Sequence, residues 1–180
     1  MTTTVPQTHR ILKAIAMAAR AHQGQLRKDR ITPYVSHVFR VCFTLRHIFG
    51  IEDEDVLIAA VLHDTVEDTT TDYDDVEEKF GSKIAEWVAQ LSKDKRLPFA
   101  ERERVYGEVL AGACWQVQVC KLADIHDNLL DSEHLSAKSR ARSLTNADRY
   151  LSILRTNLKP QAEPAMRIVE SIYQGLSQSG

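Results

Sequence analysis

Apolar residues in this 180-residue chain recur three and four positions apart rather than at alternate positions, a spacing that builds one-sided helices and calls for no sheet. Seven glycines and five prolines leave few points at which such helices must break. The expected fold is all-α: one domain spanning residues 1–180, folded as a bundle of about eight to ten helices. With 43% hydrophobic residues the chain can bury a core large enough to fold alone.

Charge and cysteine content narrow the function classes. Lys plus Arg number 23 and Asp plus Glu 25, a net charge of -2, so any hold on nucleic acid would need a local patch and no nucleic-acid partner is expected. Cys42, Cys114 and Cys120 are odd in number and lack Cys-x-x-Cys spacing, which reads as free thiols in a reducing compartment. Met1 to Arg10 is polar and lacks the basic-then-apolar order of a secretory signal. The apolar run Val56 to Leu62 is far too short to cross a bilayer. A cytoplasmic protein with no membrane contact is expected.

Along the chain, a helix from Thr8 through Ile11, Leu12, Ile15 and Ala19 ends near Gly24, and a basic, turn-rich stretch, Gln25 to Val35, follows. Ser36 is placed to cap a second helix through Val38, Val41, Cys42, Leu45 and Ile48, stopped by Gly50, with His37 in its first turn. Asp53 is placed to cap a third, apolar enough to be central, that ends in His63 and Asp64. After Thr69 to Thr71 come two short helices separated by Gly81, then a charged loop, Lys93 to Pro98. Helical spacing resumes over 99–112, 115–130, 137–157 and, beyond Pro160, 161–176.

The sharpest local feature is Ala59-Ala60-Val61-Leu62-His63-Asp64-Thr65-Val66-Glu67-Asp68-Thr69, an apolar helix that ends in imidazole and carboxylates. Either these charges face water, or a cation compensates them, because burying ionised carboxylates is costly otherwise. His37 opens one helix, and Asp124 sits within the apolar pattern Val117, Val119, Cys120, Leu122, Ala123. An Asp in such a setting is seldom unpaired. Taken singly, Asp124 could pair with an arginine and His37 could cap its helix; together with His63 and Asp64 they offer two imidazoles and two carboxylates.

The order His, His-Asp, Asp resembles the HD metal-dependent phosphohydrolase superfamily. Arg27-Lys28-Asp29, Thr32-Pro33-Tyr34, His37, the Leu62 to Thr69 run, Phe80-Gly81, Asp94-Lys95, Leu97-Pro98 and Lys121-Leu122-Ala123-Asp124 with Asn128 resemble the hydrolase domain of RelA/SpoT proteins, most closely the free-standing small alarmone hydrolases and metazoan SpoT homologues. The motifs run from about residue 10 to residue 157, and a stand-alone hydrolase without a synthetase domain is expected. The resemblance implies His37, His63, Asp64 and Asp124 as ligands of a manganese ion; ligand type alone leaves zinc and iron open. It implies that Glu67 and Asp68 orient and deprotonate the attacking water, near enough in sequence to Asp64 to return to the same site.

Arg27, Lys28 and Lys95, with Arg102 and more weakly Arg104, are expected to grip pyrophosphate. Asn128 and Tyr150 match nucleoside-contacting positions. Two departures stand out: Val38 follows the first metal histidine where the family has Pro, and Ile125-His126-Asp127-Asn128 replaces a basic residue, Leu, an aromatic or His, and Asn. His22, His47 and His134 have no matched partners and read as ordinary residues. The implied reaction is manganese-dependent removal of the 3′-pyrophosphate from (p)ppGpp, giving GDP or GTP and pyrophosphate. Adenosine alarmones, (p)ppApp, or the 2′-phosphate of NADPH are alternative substrates, and a non-catalytic HD-fold binding protein is the alternative of a different class. The sequence leaves the oligomeric state open.

Overall fold

The computed structural model describes residues 8–132 and 135–178, so His134 and most of the polar start lie outside the described residues. Among those described, ten helical segments form and no strand does; a single antiparallel bridge joins Leu26 to Pro33. In order they are α1 (Thr8–Ala21), α2 (Val35–Phe43), α3 (Glu54–Leu62), the one-turn α4 (Thr65–Asp68), α5 (Tyr73–Phe80), α6 (Ser82–Leu91), α7 (Phe99–Gly112), α8 (Trp115–Asp131), α9 (Ala137–Asn157) and α10 (Glu163–Gln178). A π-helical turn, Thr44–Ile48, extends α2, and a 3-10 turn, Pro160–Ala162, leads into α10. The expected boundaries hold to within a few residues, as periodicity and punctuation allow.

Two helices form the centre. Val56, Ile58, Ala59, Ala60, Val61 and Leu62 of α3 are all fully buried, because α1, α2, α6 and α8 pack around it. The second, α8, is buried continuously from Val117 to Asp127, with α2, α3, α6, α9 and α10 about it. An amphipathic surface helix has one wet face, whereas these two have almost none, so every polar side chain they carry must find a partner inside. That constraint is what makes their His63, Lys121, Asp124 and Asp127 informative.

The Asp53 cap forms as expected: its carboxylate accepts the backbone N–H groups of Asp55 and Val56. Ser36 does not cap α2. The helix starts one residue earlier, Tyr34 already has helical dihedrals, and Ser36 Oγ is buried without a hydrogen bond. Pro33 accounts for the shift, since its carbonyl takes the Ser36 N–H in a turn that commits the chain to helix before Ser36 is reached. Before α5 the cap is Asp72, in a reciprocal box with Asp75, while Thr69 Oγ1 returns to the Thr65 carbonyl. Gly81, at φ +90°, supplies the left-handed break that the α5–α6 corner requires. Leu45 and Ile48 lie in the π-helical turn rather than in regular α-helix, with Leu45 still fully buried.

Asp53→Ala should lower stability by about 1 kcal/mol through loss of the cap, whereas Leu122→Ala, emptying a fully buried position of α8, should cost about 2–5 kcal/mol. Urea denaturation followed by far-UV circular dichroism checks both; equal effects would contradict the central placement of α8.

Candidate active site

The tight corner after α3 gathers the charged residues that the sequence clusters there. His63 ends α3 in helical geometry, Asp64 turns the chain, and the Thr65 hydroxyl, donating to the Leu62 carbonyl at 2.7 Å, holds the corner shut. His37 comes to this corner from α2 and Asp124 from the middle of α8. His37 Nε2 lies 3.2 Å from Asp124 Oδ1 and 3.5 Å from Asp64 Oδ2, and His63 Nε2 lies 3.0 Å from Asp64 Oδ2 and 3.9 Å from Asp124 Oδ1. The donor atoms of His37, His63 and Asp124 all fall within 4.8 Å of one another.

The far nitrogens of both rings fix their tautomers. His63 Nδ1 faces the Ala60 carbonyl at 2.7 Å and His37 Nδ1 faces Asp127 Oδ2 at 2.5 Å, and since both oxygens only accept, each Nδ1 carries the proton. Nε2 of each ring therefore points at the convergence. His63 Nε2 is buried, and the nearby Asp64 oxygen does not line up to accept from it. Burial alone would lower the pKa of His37, but the carboxylates of Asp124, Asp127 and Asp64 outweigh it and raise it to about 10. Burial opposes ionisation of Asp64 and Asp124 too, yet His63 beside the first and Lys121 beside the second hold both well below the carboxylate range. Two ring nitrogens and two carboxylate oxygens aimed at one buried point are a donor set for a divalent cation with mixed nitrogen and oxygen preference, and the orphaned His63 Nε2 is the atom such a cation would satisfy.

A cavity of about 320 Å³ opens over this point. Glu67 lies on one wall, its Oε2 accepting the Lys93 backbone N–H at 2.9 Å, and burial raises its pKa. Tyr34 donates its hydroxyl to Asp64 Oδ2 at 2.5 Å and lies 3.3 Å from Asp68 Oδ2. Lys28 reaches the Ser143 hydroxyl at 3.4 Å from the loop before α2. Opposite stand Lys93 and Lys121, both over the faces of Tyr106 and Tyr150, with Lys93 paired to Glu103 at 3.1 Å and Lys121 to Asp124 at 2.8 Å.

Of the residues singled out in the sequence, His37, His63, Asp64, Glu67, Asp68, Asp124, Lys28, Asn128 and Tyr150 line this cavity. Asp68 is engaged by Lys95, which sits on the exposed loop at the rim. Arg27 is elsewhere: its guanidinium is buried behind His37 on Asp131 and Asn128, at 2.9 and 3.1 Å, because two carboxylates of α8 outcompete an open cavity for it. Arg102 lies over the Phe99 ring, outside the cavity lining, and Arg104 pairs with Glu108 one turn on in α7. Sequence reasoning missed Tyr34 as a ligand-holding hydroxyl, Lys93, Lys121, Tyr106 and Asp127. His22 is not an ordinary helical residue: it is buried, stacks on Tyr34 at 4.8 Å between ring centroids, and holds Gln25, whose amide donates to the Asp68 carbonyl. Only the i, i+3, i+4, i+7 run Asp124, Asp127, Asn128, Asp131 on one face of an apolar helix could have pointed to Asp127.

Residues 14–113 match the HD domain family. Human MESH1, a guanosine-3′,5′-bis(diphosphate) 3′-pyrophosphohydrolase, is 44% identical over 122 residues, which are 67% of this chain and 68% of the human protein. The bifunctional (p)ppGpp synthase/hydrolase SpoT of Escherichia coli is 36% identical over 102 residues, 57% of this chain but 14% of that longer protein. Among solved structures, a metazoan ortholog of SpoT that hydrolyses ppGpp superposes with a TM-score of 0.80 at 32% identity, over 92% of this chain and 94% of its own. A family match over more than half the sequence, joined to this identity with MESH1, makes the chain a member of the HD domain family, on the branch that holds the MESH1 hydrolases.

Proposed function

We propose that this protein is a single-domain, manganese-dependent pyrophosphohydrolase that removes the 3′-pyrophosphate of (p)ppGpp. The observation that carries the reading is the convergence of His37, His63, Asp64 and Asp124 beneath a cavity walled by Glu67 on one side and ammonium groups on the other. The same reaction is named for human MESH1. Hydrolysis here joins a water oxygen to the phosphorus attached to the 3′-oxygen and breaks the bond between them, so GDP or GTP leaves with a free 3′-hydroxyl and pyrophosphate leaves as the second product.

Each residue has a distinct part in this reading. His37, His63, Asp64 and Asp124 hold the ion, and a divalent ion held there supplies Lewis acidity that eases water deprotonation and offsets charge on phosphoryl oxygens. Glu67 accepts the water's proton: the Lys93 N–H fixes one carboxylate oxygen and leaves the other free, and burial makes the carboxylate a better base than an exposed one. Asp68, held by Tyr34 and Lys95, orients the water and keeps Lys95 at the rim. Lys28 and Lys95 take the pyrophosphate, while Asn128 and Tyr150 face the nucleoside. Arg27 supports this from behind through Asn128, and Arg102 steers phosphate only from outside the cavity. The free thiols Cys42, Cys114 and Cys120 suit a cytoplasmic location, and no described helix is long and apolar enough to cross a membrane.

Chelation to metal-free protein, verified by elemental analysis, should abolish pyrophosphate release from ppGpp and lower the melting temperature; manganese should restore both. Full activity after exhaustive chelation would exclude the metal role. Parallel assays of pyrophosphate release from (p)ppApp and of orthophosphate release from NADPH decide the substrate: preference for either displaces the guanosine reading, and release of neither product from any of them makes the protein a binding module.

Glu67→Gln keeps the shape but cannot take the proton, so kcat should fall on the order of a hundredfold with little change in KM. Lys28→Ala should instead raise KM, with a shallower salt dependence of KM than Glu67→Gln, because it removes one of the screened cation–phosphate contacts. Steady-state kinetics of the two variants separates the roles; unchanged kinetics in both would contradict them.

A further inference from the structure

Behind the His37 ring lies a layer of charged groups in which neither the reaction nor the sequence motifs assign a part to Asp127, Arg40 or Asp131. Asp127 is 3% exposed and lines no wall of the cavity. Its Oδ2 faces His37 Nδ1 at 2.5 Å, and Arg40 grips both its oxygens, Nε to Oδ1 at 2.6 Å and a terminal nitrogen to Oδ2 at 3.0 Å. Arg40 also donates to Asp131 Oδ1 at 3.0 Å, and Arg27 donates to Asp131 Oδ2 at 2.9 Å and to Asn128 Oδ1 at 3.1 Å. Asn128 Nδ2 then donates to Asp124 Oδ1 at 2.5 Å. The chain of bonds thus runs from His37 to Asp124, two of the converging groups, through residues one and two helical turns further along α2 and α8 and through Arg27 of the loop before α2.

We propose that Asp127, clamped by Arg40, is a positioning residue that fixes the tautomer and ring plane of His37 so that its Nε2 lone pair is presented to the metal. This rests on the metal reading above. A carboxylate can only accept, so the ring nitrogen facing it must carry the proton, and Nε2 is left as the donor to a cation. A lone aspartate could rotate about its last torsion; the two-point grip of a planar guanidinium removes that freedom. With Asp127 itself buried, its charge strengthens the hydrogen bond to Nδ1 and raises the basicity of the ligand nitrogen. The Arg27–Asp131 half of the network does the same for Asp124 through Asn128, so one set of charges sets the aim of two ligands contributed by different helices.

The test uses the full-length protein stripped of metal, titrated with manganese by calorimetry, together with NMR of ¹⁵N-histidine-labelled metal-free and zinc-loaded samples. Wild type should show a far-downfield, hydrogen-bonded Nδ1–H signal for His37 without metal and Nε2 coordination with zinc. Asp127→Asn, which keeps the shape and loses the charge, should weaken manganese binding about 10–100-fold and shift that Nδ1–H signal. Arg40→Gln serves as a second variant that should fold, because the Arg40 side chain is 44% exposed and Arg27 stays 3.7 Å from Asp127 to balance its charge; it should weaken binding in the same direction. Manganese affinity and His37 signals that match wild type in both variants would overturn the proposal and reduce Asp127 to a buried ion pair, while leaving the metal reading intact. A wild type that binds no manganese or zinc, with the Nδ1–H signal present, would overturn the metal reading and this proposal with it.

Discussion

Compensation of the Asp124 carboxylate is the interaction on which the rest of the molecule depends. The residue sits in the middle of α8, a helix buried on nearly every side, and an unpaired carboxylate there would cost more than a small domain's whole margin of stability. It is met by Lys121 one turn back, by Asn128 one turn on, and by the two imidazoles across the helix interface. Placing the two imidazoles fixes the relation of α2, α3 and α8, because His37 comes from α2 and His63 from the end of α3, and both must arrive close to Asp124. The same convergence that balances the charge is the donor set of the proposed metal site, so architecture and chemistry share one solution. The cost is that most of these groups answer to two demands at once, and a substitution at any of them tests folding and function together.

How much of this was legible beforehand follows from what a helical period can and cannot say. Spacing defines faces, so the extents of α7, α8 and α9 and the central burial of Val56 to Leu62 were readable, and Asp53 was readable because a cap is a local bond. His63, Asp64 and Asp124 stood out because each interrupts an apolar context. Which faces meet is not a local property. Arg27 reads as a loop cation free to reach phosphate, and only the packing of its loop against α8 shows that Asp131 and Asn128 claim it. His22 reads as an ordinary residue and Tyr34 only as part of a motif with no role of its own, yet the bridge Leu26–Pro33 folds their loop so that the two rings stack beside Asp64. Asp127 lies in a polar-looking stretch, His126-Asp127-Asn128, that nevertheless falls in the buried part of α8.

The departures from the family's pattern also take on physical sense. Val38 in place of proline after His37 is fully buried and begins the inward face of α2, so the turn at Pro33 and Tyr34, rather than a proline at 38, sets how the helix begins. Asp127 stands where the resemblance places an aromatic or histidine, and a carboxylate there requires cations that an aromatic would not. Arg40 on α2 and Arg27 on the loop meet that need, at 2.6 and 3.7 Å. A single substitution of an uncharged residue by Asp127 without those arginines would have left a buried negative charge beside an already acidic centre.

Charge also bears on how a polyanion can enter. The cavity lining carries four carboxylates, Asp64, Glu67, Asp68 and Asp124, against three ammonium groups, Lys28, Lys93 and Lys121. Two of those lysines are already committed, Lys121 to Asp124 and Lys93 to Glu103, and both lie against tyrosine rings rather than free in the opening. Left to these side chains, the floor of the cavity would repel phosphate at the very place where the scissile bond must sit. A divalent ion on the His37, His63, Asp64 and Asp124 donors reverses the sign of the floor while leaving Glu67 beside it unpaired with any ammonium and able to accept a proton. On the proposed reading the acidic lining, which at first argues against a phosphate ligand, is what an anionic substrate and a cation-assisted hydrolysis would require together: the carboxylates would draw the ion, and the ion would draw the phosphate.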